Sequence, residues 1–312
     1  MLFDFDVLLH QMLSFYTMIL AGFLGYQIKL FHDAELAALS RLTGRIFLPL
    51  MVLTSIINTV QVDTLPQLPP FLLSLALALF IMLGIGWCSG RLLRLKDPTM
   101  GVHTAVVGLP NDGFLGYPLW LAVFPDRAGL AIMAACIVYV LAQWTISYPL
   151  TIPRGSGVQF QWKKMITPPL IATFTGSLLV LCGFQPVGNV AWDTITSIGG
   201  CTKYVAMLYI GGVLAQKGFR RLFCRPALFA MSFIKMIVGP VIVALLLGLI
   251  PFLDRTYLYM IVMMSAMPSP MVICIQAAMN HSDEEYAVGG MVLNTMVCLG
   301  SIPLVMYLVT LI

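Results

Sequence analysis

Two proline-centred segments decide the fold, GLPNDGFLGYP at residues 108–118 and SAMPSPM at residues 265–271. Each lies in the middle of an apolar run long enough to cross a bilayer, which takes about 20 residues. Proline removes an amide donor and clashes with the carbonyl one turn back, whereas Asn, Asp and Gly accept non-helical backbone. Both runs are therefore predicted to be membrane helices broken near their middle. A proline kink that binds no ligand is the alternative reading, and it fits two breaks at matched positions less well than one.

A broken membrane helix has the properties of an ion-binding site. It exposes amides at the start of one half-helix, which favour an anion, and carbonyls at the end of the other, which favour a cation. The residues predicted to form such a substrate site are Pro110, Asn111, Asp112, Gly113, Pro268, Ser269 and Pro270.

Composition places the chain in a membrane. Of its 312 residues, 60% are hydrophobic and only 10% are charged, and the mean hydropathy is +0.94. Ordinary soluble chains carry about 25% charged residues, so a soluble enzyme, a nucleic-acid-binding protein and a disordered chain are excluded. The seven cysteines form no CxxC pair and lie mostly in apolar runs, which favours neither disulfides nor a metal site. No cofactor is expected.

Ten apolar segments are long enough to span a bilayer, so we predict an all-α polytopic membrane protein. These predicted spans 1–10 lie near residues 7–28, 34–60, 70–95, 99–124, 128–150, 166–184, 192–216, 227–250, 256–279 and 286–311. The acidic N-terminus favours a retained first helix over a cleaved signal. The longest connection, residues 153–165, joins spans 5 and 6.

The distribution of basic residues predicts the orientation. Eleven Lys and Arg residues follow spans 1, 3, 5 and 7, and only Arg127 and Arg255 lie in loops on the opposite side. Because cytoplasmic loops are enriched in Lys and Arg, both termini are predicted on the non-cytoplasmic side of the cytoplasmic (inner) membrane. Residues 153–165 are then a cytoplasmic linker.

The two halves of the chain show signs of an internal repeat. An offset of 158 carries Pro110 onto Pro268 and Arg45 onto Lys203. Because each copy has an odd number of spans, five, the two copies enter the membrane from opposite sides, as in many secondary transporters. We therefore predict a 5+5 inverted repeat, with residues 1–152 as the first copy and 166–312 as the second, and with crossing broken helices at spans 4 and 9.

Five charged side chains are predicted to lie inside the bilayer away from the span ends, where they are costly and are functional candidates. Arg41 is near a span end and is expected to reach the headgroups. Arg45 and Lys203 correspond under the repeat and are predicted to bind substrate, and Lys235 is a candidate counter-ion for a buried carboxylate. Asp112 fits three roles equally: holding a proton, binding sodium or neutralising a lysine. The excess of positive charge predicts an anionic substrate.

Other polar residues in the spans suggest how a coupling ion could bind. Ser269, Gln276, Asn294 and Thr295 are candidates for the cavity, with Asp112, Gln276 and Asn294 as candidates for a coupling ion or proton; helix-to-helix hydrogen bonding is the alternative. His103 is predicted at the membrane surface. The sequence contains no HExxH, nucleophile elbow or Walker A motif, so an enzyme is not expected, and an intramembrane hydrolase is a distant third reading.

Three blocks resemble the auxin efflux carrier family in its compact bacterial form. They are GFLGYQIKLFHDAELAALSRLTGRIFLPLMVLTSI (22–56), LPNDGFLGYPLWLAVFPD (109–126) and AMPSPMVICIQAAMNHSDEE (266–285). The resemblance implies ten helices in two inverted repeats, with spans 1, 2, 6 and 7 as a scaffold, spans 3–5 and 8–10 as a transport domain, and a homodimer. It also implies that Pro110, Asn111, Gly113 and Pro268 lie where the broken helices cross.

The function implied by this resemblance is secondary transport of a small organic anion by an elevator-type mechanism. Members of the family move carboxylates such as indole-acetate, malate or malonate. Two features differ from the family pattern, namely Asp112 in place of a small neutral residue and Ser269-Pro270-Met271 after the second proline. Expected partners are the anion, a proton or sodium, and membrane lipid, with no nucleic acid. The alternatives are a sodium-coupled symporter of the bile-acid type and a non-transporting receptor.

Overall fold

The protein is helical throughout the part of the chain that its structure describes. The structure is a computed structural model, and it describes residues 4–156, 166–184, 186, 188–218, 225–251 and 253–311. The helical runs that are long and apolar enough to cross a membrane are Phe5–Gln27, Asp33–Thr59, Val62–Leu92, Pro125–Leu150, Val190–Lys217, Ala227–Gly248 and Glu284–Thr310. The prediction of an all-helical polytopic membrane protein is confirmed.

The described residues form fifteen α-helices. They are α1 Phe5–Gln27, α2 Asp33–Leu42, α3 Leu48–Thr59, α4 Leu68–Leu92, α5 Thr99–Gly108, α6 Tyr117–Val123, α7 Pro125–Ala142, α8 Tyr148–Leu150, α9 Pro168–Leu181, α10 Val190–Lys217, α11 Ala227–Phe233, α12 Gly239–Gly248, α13 Arg255–Ser265, α14 Met271–Met279 and α15 Glu284–Thr310. A 3-10 turn, Val62–Gln67, precedes α4. Helix α9, at 14 residues, is shorter than the predicted span 6.

Spans 4 and 9 are interrupted where the sequence predicts. The first interruption, residues 109–111, separates α5 from the helical turns that lead into α6, and the second, residues 266–270, separates α13 from α14. Proline, which cannot donate a backbone hydrogen bond, lies in both interruptions, as Pro110 in the first and as Pro268 and Pro270 in the second.

Four π-helical turns lie within the helical runs of the described residues. They are Thr43–Phe47, Asp112–Gly116, Gln143–Ser147 and Ile234–Val238, and a proline follows two residues after each of them, at positions 49, 118, 149 and 240. Proline disrupts the bond to the carbonyl four residues back, and a π turn accommodates this by bonding five residues back, as when the amide of Leu48 donates to the Thr43 carbonyl. Such turns are frequent at functional sites, and here they carry Arg45, Asp112 and Lys235.

The chain forms two compact units. Unit 1 comprises residues 1–72, 113–137 and 166–218, and within it α1 packs against α10 while α3 packs against α9. Gly22 and Gly211 bring the backbones of α1 and α10 together, because a Cβ at Gly22 would overlap the carbonyl of Leu208 and one at Gly211 would overlap that of Ile19. Small residues permit this close approach in membrane helices.

Unit 2 comprises residues 73–112, 138–165 and 219–312. Within it α15 packs against α5, α11, α13 and α14, so it forms the centre of the unit. Gly101 allows α5 to approach the backbone of Leu150 in α8. Unit 2 therefore contains both interruptions. Four basic residues used for the orientation, Lys163, Lys164, Arg220 and Arg221, and most of the predicted linker lie outside the described residues.

Candidate functional site

The first interruption is stabilised by a side chain from the second. Leu109 is extended, with φ −99° and ψ 136°, as the position before a proline favours. Pro110 has no amide, so the carbonyl of Val106, four residues earlier, loses its helical donor. The Ser269 hydroxyl donates to this carbonyl at 2.8 Å. A hydroxyl from one broken helix thus replaces the hydrogen bond that proline removes from the other.

The second interruption accepts a hydrogen bond in return. The backbone amide of Asn111 donates to the carbonyl of Pro268 at 2.7 Å. Pro270 is extended, with φ −77° and ψ 147°, and no side chain caps the start of α14. The two interruptions therefore contact each other directly, and the first amides of α14 have no side-chain acceptor from the cap position.

Asn294 joins α15 to this contact. Its side chain is fully buried, and Nδ2 donates to the Ser269 hydroxyl at 2.9 Å. Its Oδ1 is buried and has no hydrogen-bond partner among the described residues. An unsatisfied buried acceptor is costly, so this oxygen is available to a water molecule or to a donor on a ligand.

Lys235 lies at the end of the first half-helix. It is carried by the π turn Ile234–Val238, its side chain is fully buried, and Nζ donates to the carbonyl of Leu109 at 3.2 Å. Lys235 was a candidate counter-ion for a buried carboxylate. That pairing is wrong for the described residues, among which Lys235 forms no ion pair. Because the C-terminal end of a helix carries about half a negative charge, the partner of the ammonium is the end of α5 itself.

The structure brings some of the predicted site residues together. Asn111, Pro268, Ser269 and Asn294 are linked by the hydrogen bonds described above. Asp112 begins the adjacent π turn and is half-buried. Gly113 belongs to unit 1, where an added Cβ would lie 2.9 Å from Leu48 Cδ2.

Arg45 and Lys203 both lie in unit 1. The Arg45 side chain is exposed on the π turn Thr43–Phe47. Lys203 is half-buried on α10, and its Nζ lies 4.7 Å from the centre of the Tyr204 ring, a cation–π contact. Neither side chain forms a hydrogen bond with another of the residues that the structure describes, and their role as substrate ligands stays a prediction.

Gln276 is held within the helix bundle of unit 2. Its Oε1 accepts from the Ser147 hydroxyl at 2.8 Å, and its Nε2 donates to the carbonyl of Gln143 at 2.9 Å. The Thr295 hydroxyl donates to the Met291 carbonyl one turn back. The alternative reading of such groups, hydrogen bonding that holds the bundle together, therefore describes the contacts of both side chains.

His103 is not exposed at the membrane surface. Its side chain is fully buried, with Nε2 2.8 Å from the Ser89 hydroxyl on α4 and Nδ1 2.8 Å from the Tyr286 hydroxyl on α15. The imidazole therefore connects α4, α5 and α15. The sequence placed it near a helix end correctly but could not indicate that two other helices would cover it.

An ionic cluster joins the ends of three elements in unit 2. Asp283, the N-cap of α15, accepts from Thr99 at 2.5 Å and from Arg225 at 2.6 Å, and Arg225 also lies 3.5 Å from Glu285. Burial alone would raise the pKa of Asp283, but the hydrogen bonds from Thr99 and Arg225 lower it below its ordinary value. The same bond raises the pKa of Arg225.

A cavity of about 810 Å³ lies in unit 1, between the ends of α3 and α9 and the start of α10. Its lining includes Asn58, Asp63, Trp192 and Asp193, and the Trp192 indole donates to Asn58 at 2.8 Å. None of the residues predicted to bind substrate lines it. The contacts between the interruptions, and not this cavity, define the candidate site.

The backbone hydrogen-bond acceptors of the site were not predicted from the sequence. Val106 and Leu109 take part through their carbonyls, which composition and side-chain chemistry do not reveal. A signal was present for Val106, because a proline four residues later always frees the carbonyl it would have paired. No comparable signal indicated that Lys235 would bond to Leu109.

The fold and the site define the class of protein. Interrupted helices that contact each other in a polytopic helical protein are the arrangement of secondary transporters. The sequence matches the family described as membrane transport protein over residues 7–161 and again over residues 152–306. It is also 22% identical over 298 residues to an uncharacterized transporter of Methanothermobacter thermautotrophicus, covering 94% of this chain and 95% of that one.

The chain belongs to this membrane transport protein family, and the resemblance to the auxin efflux carriers is confirmed. The protein is therefore a multi-pass membrane transporter, and family membership implies transport rather than catalysis.

Proposed function

We propose that this protein is a secondary carrier that moves a small organic anion, a mono- or dicarboxylate, across the cytoplasmic membrane. The observation that carries the proposal is the mutual bonding of the two interruptions beside a buried ammonium group. Ser269 bonds to Val106, Asn111 bonds to Pro268, and Lys235 lies at the end of the same half-helix. Transporter sites are commonly formed by such discontinuous helices near the middle of the bilayer.

The sign of the charges supports an anionic substrate. Lys235 is buried without an acidic partner among the described residues, and Arg45 and Lys203 lie within membrane-spanning helices. Ionisable groups at such depth are costly and usually face a pathway or a ligand. The amides at the start of α14, beside Pro270, are suited to a carboxylate because helix N-termini favour anions.

The proposed movement is of elevator type, in a 5+5 inverted repeat of ten spans. Two findings support it: the family match falls on the chain twice, and unit 1 contains the helices of spans 1, 2, 6 and 7, which the resemblance assigns to the scaffold. Residues 113–137, from spans 4 and 5, also belong to unit 1 and depart from that assignment. We also propose that the protein is a homodimer and that both termini of each subunit lie outside the cytoplasm.

Asp112 is the proposed proton carrier of the transport cycle. It is half-buried and directly follows Asn111, whose amide bonds to the second interruption. Asn294, with its unsatisfied Oδ1, is a second polar group that a coupling ion could use, whereas both amide atoms of Gln276 already have partners. Proton coupling at Asp112 would make uptake respond to a proton gradient, whereas sodium coupling at Asp112 or Asn294 would make uptake respond to a sodium gradient.

A thermal-shift screen tests whether the protein binds carboxylates. The purified protein would be heated with malonate, malate, succinate, acetate or indole-3-acetate. A ligand that binds only the folded state stabilises it by about 2.7 kcal/mol at a concentration 100 times its Kd. We expect at least one carboxylate to raise the unfolding temperature, whereas matched amines should not. A rise with amines alone would contradict the proposed sign of the substrate.

Uptake into proteoliposomes then separates transport from sensing. The carboxylate that binds would be supplied in radiolabelled form, with a proton gradient, a sodium gradient or neither. Accumulation inside the vesicles supports a carrier, whereas binding without uptake supports a receptor that uses the same site. If Arg45→Ala and Lys203→Ala both bind the carboxylate as tightly as the wild type, these two residues are not substrate ligands.

A further inference from the structure

We propose that Lys235 is a resident cation of the transport site, whose ammonium group occupies the position of a coupling sodium ion, so that anion transport requires no sodium. The inference rests on the proposed function and specifies its coupling. In transporters with discontinuous helices, unwound carbonyls and half-helix C-terminal ends are the groups that coordinate a cation. Lys235 Nζ is bonded to such a carbonyl, that of Leu109.

Three carbonyl oxygens at the two interruptions are each bonded to a protein donor. The carbonyl of Val106 accepts from Ser269, that of Leu109 accepts from Lys235, and that of Pro268 accepts from the amide of Asn111. A metal cation needs several oxygen ligands at once. A sodium ion at the Leu109 carbonyl would have to displace the Lys235 ammonium or lie beside it.

The surroundings of Lys235 leave its charge incompletely balanced. The π turn Ile234–Val238 packs against α5, α11, α12 and α15. The acidic residues on these helices are Glu284 and Glu285, both exposed in the first turn of α15. His103 on α5 is bonded to Ser89 and Tyr286. The helices packed against the turn thus provide no buried carboxylate to neutralise the ammonium.

The remaining charge is suited to a carboxylate substrate. Burying an ammonium group costs several kcal/mol, and the end of α5 offsets only about half an elementary charge. An anion bound at the interruptions would complete the neutralisation. Lys235 therefore supplies the positive charge that a bound sodium ion supplies in a sodium-driven carrier. Unlike sodium, this charge stays with the protein through every transport cycle.

Wild-type protein provides the first test. Uptake of radiolabelled malonate, malate and indole-3-acetate would be measured in proteoliposomes with sodium chloride or with choline chloride on both sides. We expect rates within twofold of each other in the two salts. In parallel, thermal unfolding without substrate should shift by less than about 1 °C between the salts. A requirement for sodium in uptake, or a sodium-specific rise in unfolding temperature, would overturn the proposal.

Variants of Lys235 separate its charge from its hydrogen bond. Lys235→Gln retains a donor for the Leu109 carbonyl but removes the charge, and we expect at least a tenfold loss of uptake. Lys235→Arg retains the charge and should recover part of the rate, and Lys96→Gln, an exposed loop lysine, serves as the matched control. Uptake by Lys235→Gln within twofold of the wild type would overturn the assignment.

Folding and function are distinguished by the same set of measurements. Variants are compared only when they are monodisperse and unfold within a few degrees of the wild type, and Lys235→Met replaces any that are not. If no carboxylate binds or enters in either salt, the proposed function fails. The sodium response in thermal unfolding still tests the Lys235 assignment, because it needs no substrate.

Discussion

Replacement of Ser269 by alanine tests the contact between the two interruptions. The Ser269 hydroxyl donates to the carbonyl of Val106 at 2.8 Å and accepts from Asn294 Nδ2 at 2.9 Å. These two bonds join both broken helices to α15. Ser269→Ala removes both bonds without adding bulk, so its effect reports the strength of this contact.

The expected loss of stability follows from what is left unpaired. The carbonyl of Val106 would have no donor, because Pro110 supplies none. Asn294 Nδ2 would keep only Met231 Sδ at 3.7 Å, a weak acceptor. Each unsatisfied buried group costs about 1–3 kcal/mol in soluble proteins, and bonds between membrane helices are worth about 0.6–1.7 kcal/mol. For the two groups together the first range gives about 2–6 kcal/mol and the second about 1–3 kcal/mol, so we expect a destabilisation of about 2–3 kcal/mol, where the two ranges overlap.

Thermal unfolding of the purified protein in detergent measures this loss, and Ser265→Ala is the matched control. Ser265 is equally buried, but its hydroxyl donates to the carbonyl of Ile261, one turn back in its own helix, where an amide also serves that carbonyl. We expect Ser265→Ala to cost less than about 1 kcal/mol. The reasoning would be refuted if Ser269→Ala were no more destabilising than Ser265→Ala.

A double-mutant cycle sharpens the result. Ser269→Ala and Asn294→Leu remove the same hydrogen bond from opposite ends, so their effects on the free energy of unfolding should not add. We expect an interaction energy of about 1 kcal/mol. Additive effects would mean that Ser269 and Asn294 do not interact in the folded protein.

Three further predictions concern packing, pH and coupling. Gly211→Ala should separate α1 from α10, because its Cβ would overlap the Ile19 carbonyl, and should lower the free energy of unfolding by about 1–3 kcal/mol. In the same unfolding assay the control Gly44→Ala should be neutral or slightly stabilising, because a Cβ at Gly44 meets no atom within 4 Å. The lowered pKa of Asp283 stabilises the folded state above the unfolded-state carboxyl value of about 4, and this contribution is lost as the pH falls through the lower folded-state value. Asp283→Asn should therefore flatten the dependence of the unfolding temperature on pH below about pH 4, and an unchanged profile would contradict the assignment. Asp112→Asn should abolish the response of uptake to a proton gradient; transport that still follows the gradient would remove Asp112 from the coupling mechanism.

Much of the local structure could be predicted because its causes are local. A proline lacks an amide wherever it occurs, so Pro110 and Pro268 predict the two interruptions without knowledge of the fold. The apolar runs predict helices because a bilayer leaves no other way to satisfy the backbone. The π turns before prolines 49, 118, 149 and 240 have the same local cause, although their helical type was not anticipated.

The partners of the polar residues could not be predicted in this way. Lys235 was expected to meet a carboxylate and meets the carbonyl of Leu109, and His103 was expected at the surface and is buried between helices. Both errors arise because a buried polar group can be satisfied by backbone as well as by side chains, and backbone acceptors are present everywhere in the sequence.

The sequence by itself therefore determined that this protein is a helical membrane transporter with two broken helices and an excess of positive charge in its spans. Only the tertiary structure decided that Ser269 replaces the bond lost at Pro110, and that Lys235 lies at the end of α5. The physical reason is distance along the chain. Ser269 and Val106 are 163 residues apart and Lys235 and Leu109 are 126 apart, so these bonds depend on how α5, α14, α15 and the π turn Ile234–Val238 pack together, which no local preference encodes.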